Sequence, residues 1–169
     1  MLWSKKYLVI VFTAALAGCG FEPIYGTANQ QNIKSELAAV QISPIKDRIG
    51  QQLRNHLLNQ INPKGRSVAP RYVLSVTLTE SKQELAVQKL ELATRANLNF
   101  IANFSLSPVE GVRSSLLTGQ VRITTSYNIL SSDFGTLMAE RDARRRAVRE
   151  MSLDITNRIA AHVQNTGAG

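Results

Sequence analysis

Apolar residues recur along this chain with two distinct periods. Ile45, Ile49, Leu53, Leu57 and Ile61 come every fourth residue, and Leu58 widens the stripe. That spacing predicts an amphipathic helix. Ser43-Pro44 suits its start, with serine as cap and proline in the first turn, and Asn62-Pro63-Lys64-Gly65 supplies a stop. His56 adjoins the stripe and is expected to be half-buried there. A second stripe, Val148, Met151, Ile155, Ile159 and Val163, predicts a long helix. It begins between Ser131 and Thr136, runs to about Val163, and is closed by Asn165 and Gly167. About thirty residues at 1.5 Å each reach about 45 Å, long for a small domain.

Between these helices the period falls to two. Tyr72, Leu74, Val76 and Leu78 alternate with Val73, Ser75, Thr77 and Thr79. Ala96, Leu98, Phe100, Ala102, Phe104 and Leu106 alternate with Arg95, Asn97, Asn99, Ile101, Asn103 and Ser105. After a turn at 108–115, Val121, Ile123 and Tyr127 alternate with Arg122, Thr124 and Ser126. The segment 84–94 is a weaker pattern, with Leu90 and Leu92 flanking Glu91. Leu37–Ile42 predicts a first strand ahead of the first helix. The order β-α-β-β-β-α predicts an α+β fold: a roughly four-stranded mixed sheet with two helices packed on one face. The crossover makes the first two strands parallel or close neighbours. Each strand then buries one face and turns the other to water. Asn97, Asn99, Asn103, Thr77, Thr124 and Ser126 make that wet face either an ordinary solvated surface or a hydrogen-bonding one.

The N-terminus has neither period. Lys5 and Lys6 precede the apolar run 7–16, and Leu16-Ala17-Gly18-Cys19 follows. A short basic segment and about ten apolar residues form a secretory signal, too short to span a bilayer. The last four residues resemble a bacterial lipobox, and Cys19 is the single cysteine of the chain. That resemblance implies cleavage after residue 18 and acylation of Cys19. Each buried methylene contributes about 0.8 kcal/mol, so two or three chains anchor a protein without a spanning helix. Gly20, where aspartate would imply retention in the inner membrane, implies the outer membrane. Residues 19–35, with Pro23, Gly26 and Asn29-Gln30-Gln31-Asn32, read as a tether, and 36–165 as one domain.

Composition follows from this compartment. The 169 residues carry 20 Lys+Arg against 12 Asp+Glu, net +8; without residues 1–18 the balance is 18 against 12, net +6. Export turns that charge away from nucleic acid and toward phosphorylated lipid or an acidic partner. The densest charge lies in 140–150. Glu140–Arg144, Asp142–Arg146 and Arg146–Glu150 are spaced for pairing along a helix, while Arg141, Arg145 and Arg149 form a basic stripe one turn apart. Arg95 and Arg122, with Lys82 and Lys89 near the strand ends, add positive charge where a phosphorylated lipid can dock. One cysteine excludes an intrachain disulfide. The sequence holds no Gly-rich phosphate loop, no G-x-S-x-G elbow and no H-E-x-x-H, so no enzyme, cofactor or metal site is expected.

Cys19-Gly20-Phe21-Glu22-Pro23-Ile24-Tyr25-Gly26 resembles the start of the lipopolysaccharide-assembly lipoproteins of the LptE family. Asp47–Leu57, Tyr72–Leu78, Thr94-Arg95, Ser126-Tyr127-Asn128 and Ala139–Ala143 fall in the order expected of that family. The resemblance implies a non-enzymatic outer-membrane lipoprotein. It would sit within the lumen of the LptD β-barrel, plugging it, assisting its assembly and contacting lipopolysaccharide. Arg95, Arg122 and Lys89 are the candidate contacts. The alternative is a free-standing, periplasm-facing lipoprotein that binds an anionic lipid or cell-wall ligand.

Overall fold

The computed structural model describes residues 27–63, 65, 69–85, 95–110 and 115–166, with side chains from Ile33 to Asn165 within these ranges. Cys19 and Lys89, and with them the lipid-attachment expectation and most of the weak 84–94 pattern, lie outside the described residues. The chain divides into two compact units, 1–32 and 33–169; only backbone 27–32 of the first is described. The elements are α1 (Thr27–Ala38), β1 (Val40–Ile42), α2 (Asp47–Ile61), β2 (Tyr72–Leu85), β3 (Arg95–Pro108), β4 (Leu117–Asn128) and α3 (Asp133–Thr166).

The fold is α+β, with a four-stranded mixed sheet in the order β1-β2-β3-β4. β1 runs parallel to β2, with Val40 opposite Tyr72, and the other two pairings are antiparallel. The even-numbered residues of β3 face the helices: Ala96, Leu98, Phe100, Ala102 and Leu106 have no exposure, and Phe104 almost none. Leu53 and Leu57 of α2 and Ala143, Val148, Met151, Ile155 and Ile159 of α3 complete one continuous core with them. α3 has 34 residues, about 51 Å at 1.5 Å per residue.

Two boundaries differ from the sequence expectation. Leu37 and Ala38 end α1 rather than open β1, so the first strand is three residues, not six. An apolar run this short does not distinguish a strand from a buried helix end. α1 also takes in residues 27–35, whose Asn/Gln-rich sequence has no apolar stripe to announce a helix. α2 begins at Asp47, not Ser43, and its Lys46 cap makes no side-chain cap bond. Ile45 instead folds back over the helix, where a Cβ at Gly50 would lie 2.7 Å from its Cγ2. Asp47 takes up the turn at φ +66°, a left-handed conformation that aspartate tolerates better than most residues. Gln51 Nε2 donates to the Ile45 carbonyl and fixes this arrangement.

Glu36 of α1 pairs with Arg71, and Tyr72 Oη donates to Glu36 Oε2 at 3.2 Å. Burial first, then the Glu36 charge, raises the Tyr72 phenol above its ordinary value. These bonds fasten the end of α1 to the start of β2.

Candidate functional site

The sheet face turned away from the helices is built from the odd positions of β2 and β3 and the even positions of β4. Register aligns Gln83, Asn97 and Ser126 in one row, Ser81, Asn99 and Thr124 in the next, then Thr79, Ile101 and Arg122, then Thr77, Asn103 and Gln120. All six polar residues singled out from the alternation share this face. Gln120 Nε2 donates to Asn103 Oδ1 and Thr124 Oγ1 to Asn99 Oδ1, both at 2.9 Å. Among the described residues of β2, β3 and β4 no Asp or Glu lies on it; Arg95 and Arg122 are its only charges. The result is a neutral-to-positive, hydrogen-bonding surface interrupted by Val73, Leu85 and Ile101.

Both arginines are exposed, but they are not one cluster. Arg122 stands opposite Ile101, six residues along β3 from Arg95, or about 20 Å at 3.3 Å per residue. Lys82 does not join them. It stands opposite Leu98 on the helix side, where its ammonium lies 3.1 Å from Glu84 Oε1, 3.9 Å from Glu140 Oε2 and 5.8 Å from the Tyr127 ring centre. The Tyr127 hydroxyl foremost, then Glu84, holds Lys82 above its ordinary value.

Lys82 belongs to a charged network that sequence spacing did not reveal. Arg144 Nε donates to Glu80 Oε1 at 2.8 Å, its other arm pairs with Glu140, and Tyr127 Oη donates to Glu140 Oε2 at 3.1 Å. Burial pushes the Glu140 carboxyl up, but the bonds from Arg144 and Tyr127 and the charges of Arg144 and Lys82 outweigh it, so it lies below the usual carboxylate range. For Arg144, burial opposes the charge while Glu80 and then Glu140 more than restore it. The network pins the first half of α3 to the outer half of β2. A signal was present: after Leu78, the core-facing parity of β2 continues as Glu80, Lys82 and Glu84.

Along α3, Glu140–Arg144 and Asp142–Arg146 form as spaced, but Arg146–Glu150 does not. An acid one turn N-terminal to its base is the better order, and Asp142 takes Arg146 with it. Arg145 reaches Asp142 at 3.3 Å. Arg141 and Arg149 have no carboxylate within 4 Å among the described residues. Nor do three metal-ligating side chains converge among these residues.

The LptE sequence profile, described as lipopolysaccharide-assembly, matches residues 37–159. The chain belongs to the LptE family. It is thus a lipopolysaccharide-assembly lipoprotein, in an outer-membrane-associated family that is not enzymatic. No helix among the described residues is long and apolar enough to cross a membrane. Solved structures share the LptE fold seen here. A protein described as a lipoprotein from Caulobacter crescentus CB15 superposes with a TM-score of 0.64 at 15% identity, covering 79% of this chain and 96% of its own. A minor lipoprotein from Acinetobacter baumannii gives 0.53 at 18% identity, over 72% and 91%. No curated protein matches the sequence significantly.

Proposed function

We propose that this LptE-family lipoprotein plugs and helps assemble the LptD-like β-barrel of the lipopolysaccharide translocon and contacts lipopolysaccharide as it passes. The observation that best supports the reading is the open sheet face. A barrel lumen is hydrated, and a face of Asn, Ser, Thr and Gln with no carboxylate among its described residues offers hydrogen bonds without a desolvation penalty for unpaired acid. It also leaves Arg95 and Arg122 available to phosphorylated sugar, with Lys89 as a third contact. Residues 1–18 are the cleaved signal, Cys19 carries the lipid, and the stretch to residue 35 joins anchor to domain.

Depletion in the native cell tests this directly. Lipopolysaccharide should fail to reach the surface and the level of folded barrel should fall; unaltered surface lipopolysaccharide contradicts the reading. A Cys19→Ala form should no longer incorporate labelled fatty acid or fractionate with membranes, and continued labelling rejects Cys19 as the anchor.

A further inference from the structure

A second surface, on the helix side, is built differently from the open sheet face. The N-terminal turn of α2, the first half of α3 and Glu80 of β2 enclose a cleft of about 480 Å³. Its charged lining is Arg48, Arg141, Arg144 and Arg145 against Asp47 and Glu80, a net of +2. These charges are not equally engaged. Arg144 is held by Glu80 and Glu140 and closes one wall. Arg145 has a long contact to Asp142, whose other oxygen is committed to Arg146. Arg48 and Arg141 have no carboxylate within 4 Å among the described residues. Three arginines, Arg48, Arg141 and Arg145, therefore line one open space with their hydrogen-bonding capacity largely unspent.

We propose that this cleft docks an extended acidic segment of a partner protein, with alternate carboxylates of the segment on Arg141 and Arg145 and a further one on Arg48. Four features favour peptide carboxylates. Arg141 and Arg145 are one helical turn apart, so their side chains start about 6 Å from each other. Alternate side chains of an extended peptide are spaced by about 6.6 Å, so an acid-x-acid sequence matches that pitch. Carboxylate is planar and singly charged, and it meets a guanidinium fork through two parallel hydrogen bonds. The two carboxylates in the wall keep the net charge low, which suits monoanions spread along a chain better than a compact dianion. The remaining lining fits a peptide too: Ile49 gives an apolar contact for the intervening residue, and Gln52 can both donate to and accept from its backbone. The volume holds roughly three or four residues. The assignment concerns the chemistry of the partner and does not require that partner to be the barrel.

Site-specific photo-crosslinking on the full-length lipoprotein in its native membrane tests it. A benzophenone amino acid replacing Gln52 should give an adduct on a protein segment with at least two carboxylates within five residues. Arg141→Glu with Arg145→Glu should reduce that adduct at least tenfold, and changing the segment's acids to lysine should restore it in the charge-reversed background. Arg141 and Arg145 are exposed, so the double variant should keep its helical circular dichroism and melt as the parent does. An adduct on a segment without acids, an adduct on phosphorylated glycolipid, an adduct indifferent to charge reversal, or no adduct at all overturns the proposal. Absence of any adduct in the parent while the barrel still co-purifies overturns this site and leaves the translocon reading standing.

Discussion

Gln60 of α2 donates from Nε2 to Ser152 Oγ of α3 at 2.9 Å, and Ser152 has no exposure at all. Ser152 in turn donates to the Arg149 carbonyl at 2.7 Å, and Thr156 Oγ1 donates to Gln60 Oε1 at 2.9 Å. The two helices are thus joined by a satisfied polar clasp in an otherwise apolar seam. Replacing Gln60 with leucine leaves the buried Ser152 oxygen without its donor, and orphaning a buried polar atom costs about 1–3 kcal/mol. Chemical denaturation should show that loss, and a double-mutant cycle with Ser152→Ala should show coupling. A neutral Gln60→Leu variant would mean the clasp contributes nothing.

Acid should loosen the other attachment of α3. Glu140 has a folded-state pKa below its unfolded one, so its contribution is complete above the unfolded value, near 4.5, and is lost as pH falls through the lower folded value. Stability measured from about pH 6 downward should therefore decline more steeply in the parent than in Glu140→Gln. Parallel curves for the two proteins would remove Glu140 from the account of acid sensitivity.

Arg95 and Arg122 are separated by about 20 Å, roughly twice the screening length at 0.1 M salt. If each holds a phosphorylated group of lipopolysaccharide, the single Glu replacements should weaken binding independently and their losses should add. Raising salt should bring parent and double variant closer together. Unchanged lipopolysaccharide binding in Arg95→Glu/Arg122→Glu, with the domain still folded, rejects these two as contacts and leaves the barrel role intact.

The alternation of β3 was legible because one of its faces is buried along the strand, and that of β4 because its odd positions are consistently less exposed than its even ones; a single slip would move Phe100 or Asn99 to the wrong side. The helical stripes were legible for the same reason. What escaped were features set by contacts distant in sequence. Arg144 has an acid at the right local spacing, and local spacing alone cannot show that Glu80, 64 residues earlier, shares it. The cleft at Arg48 and Arg141 likewise exists only once α2 and α3 lie side by side, although the Arg141–Arg145 spacing was visible. Lys82 was grouped with Arg95 and Arg122 by its nearness to a strand end, whereas the parity of β2 sends it to the opposite face. The late start of α2 turned on one local packing choice, Ile45 against Gly50, which propensity does not register.

Extraction of native membranes in mild detergent, followed by capture of this lipoprotein through a C-terminal tag, tests the central claim most directly. The translocon reading predicts a stable complex with one large outer-membrane β-barrel in near-equal amount, retained through size-exclusion chromatography. A monomer that elutes alone under those conditions, and still binds an anionic periplasmic lipid or cell-wall fragment, would contradict it.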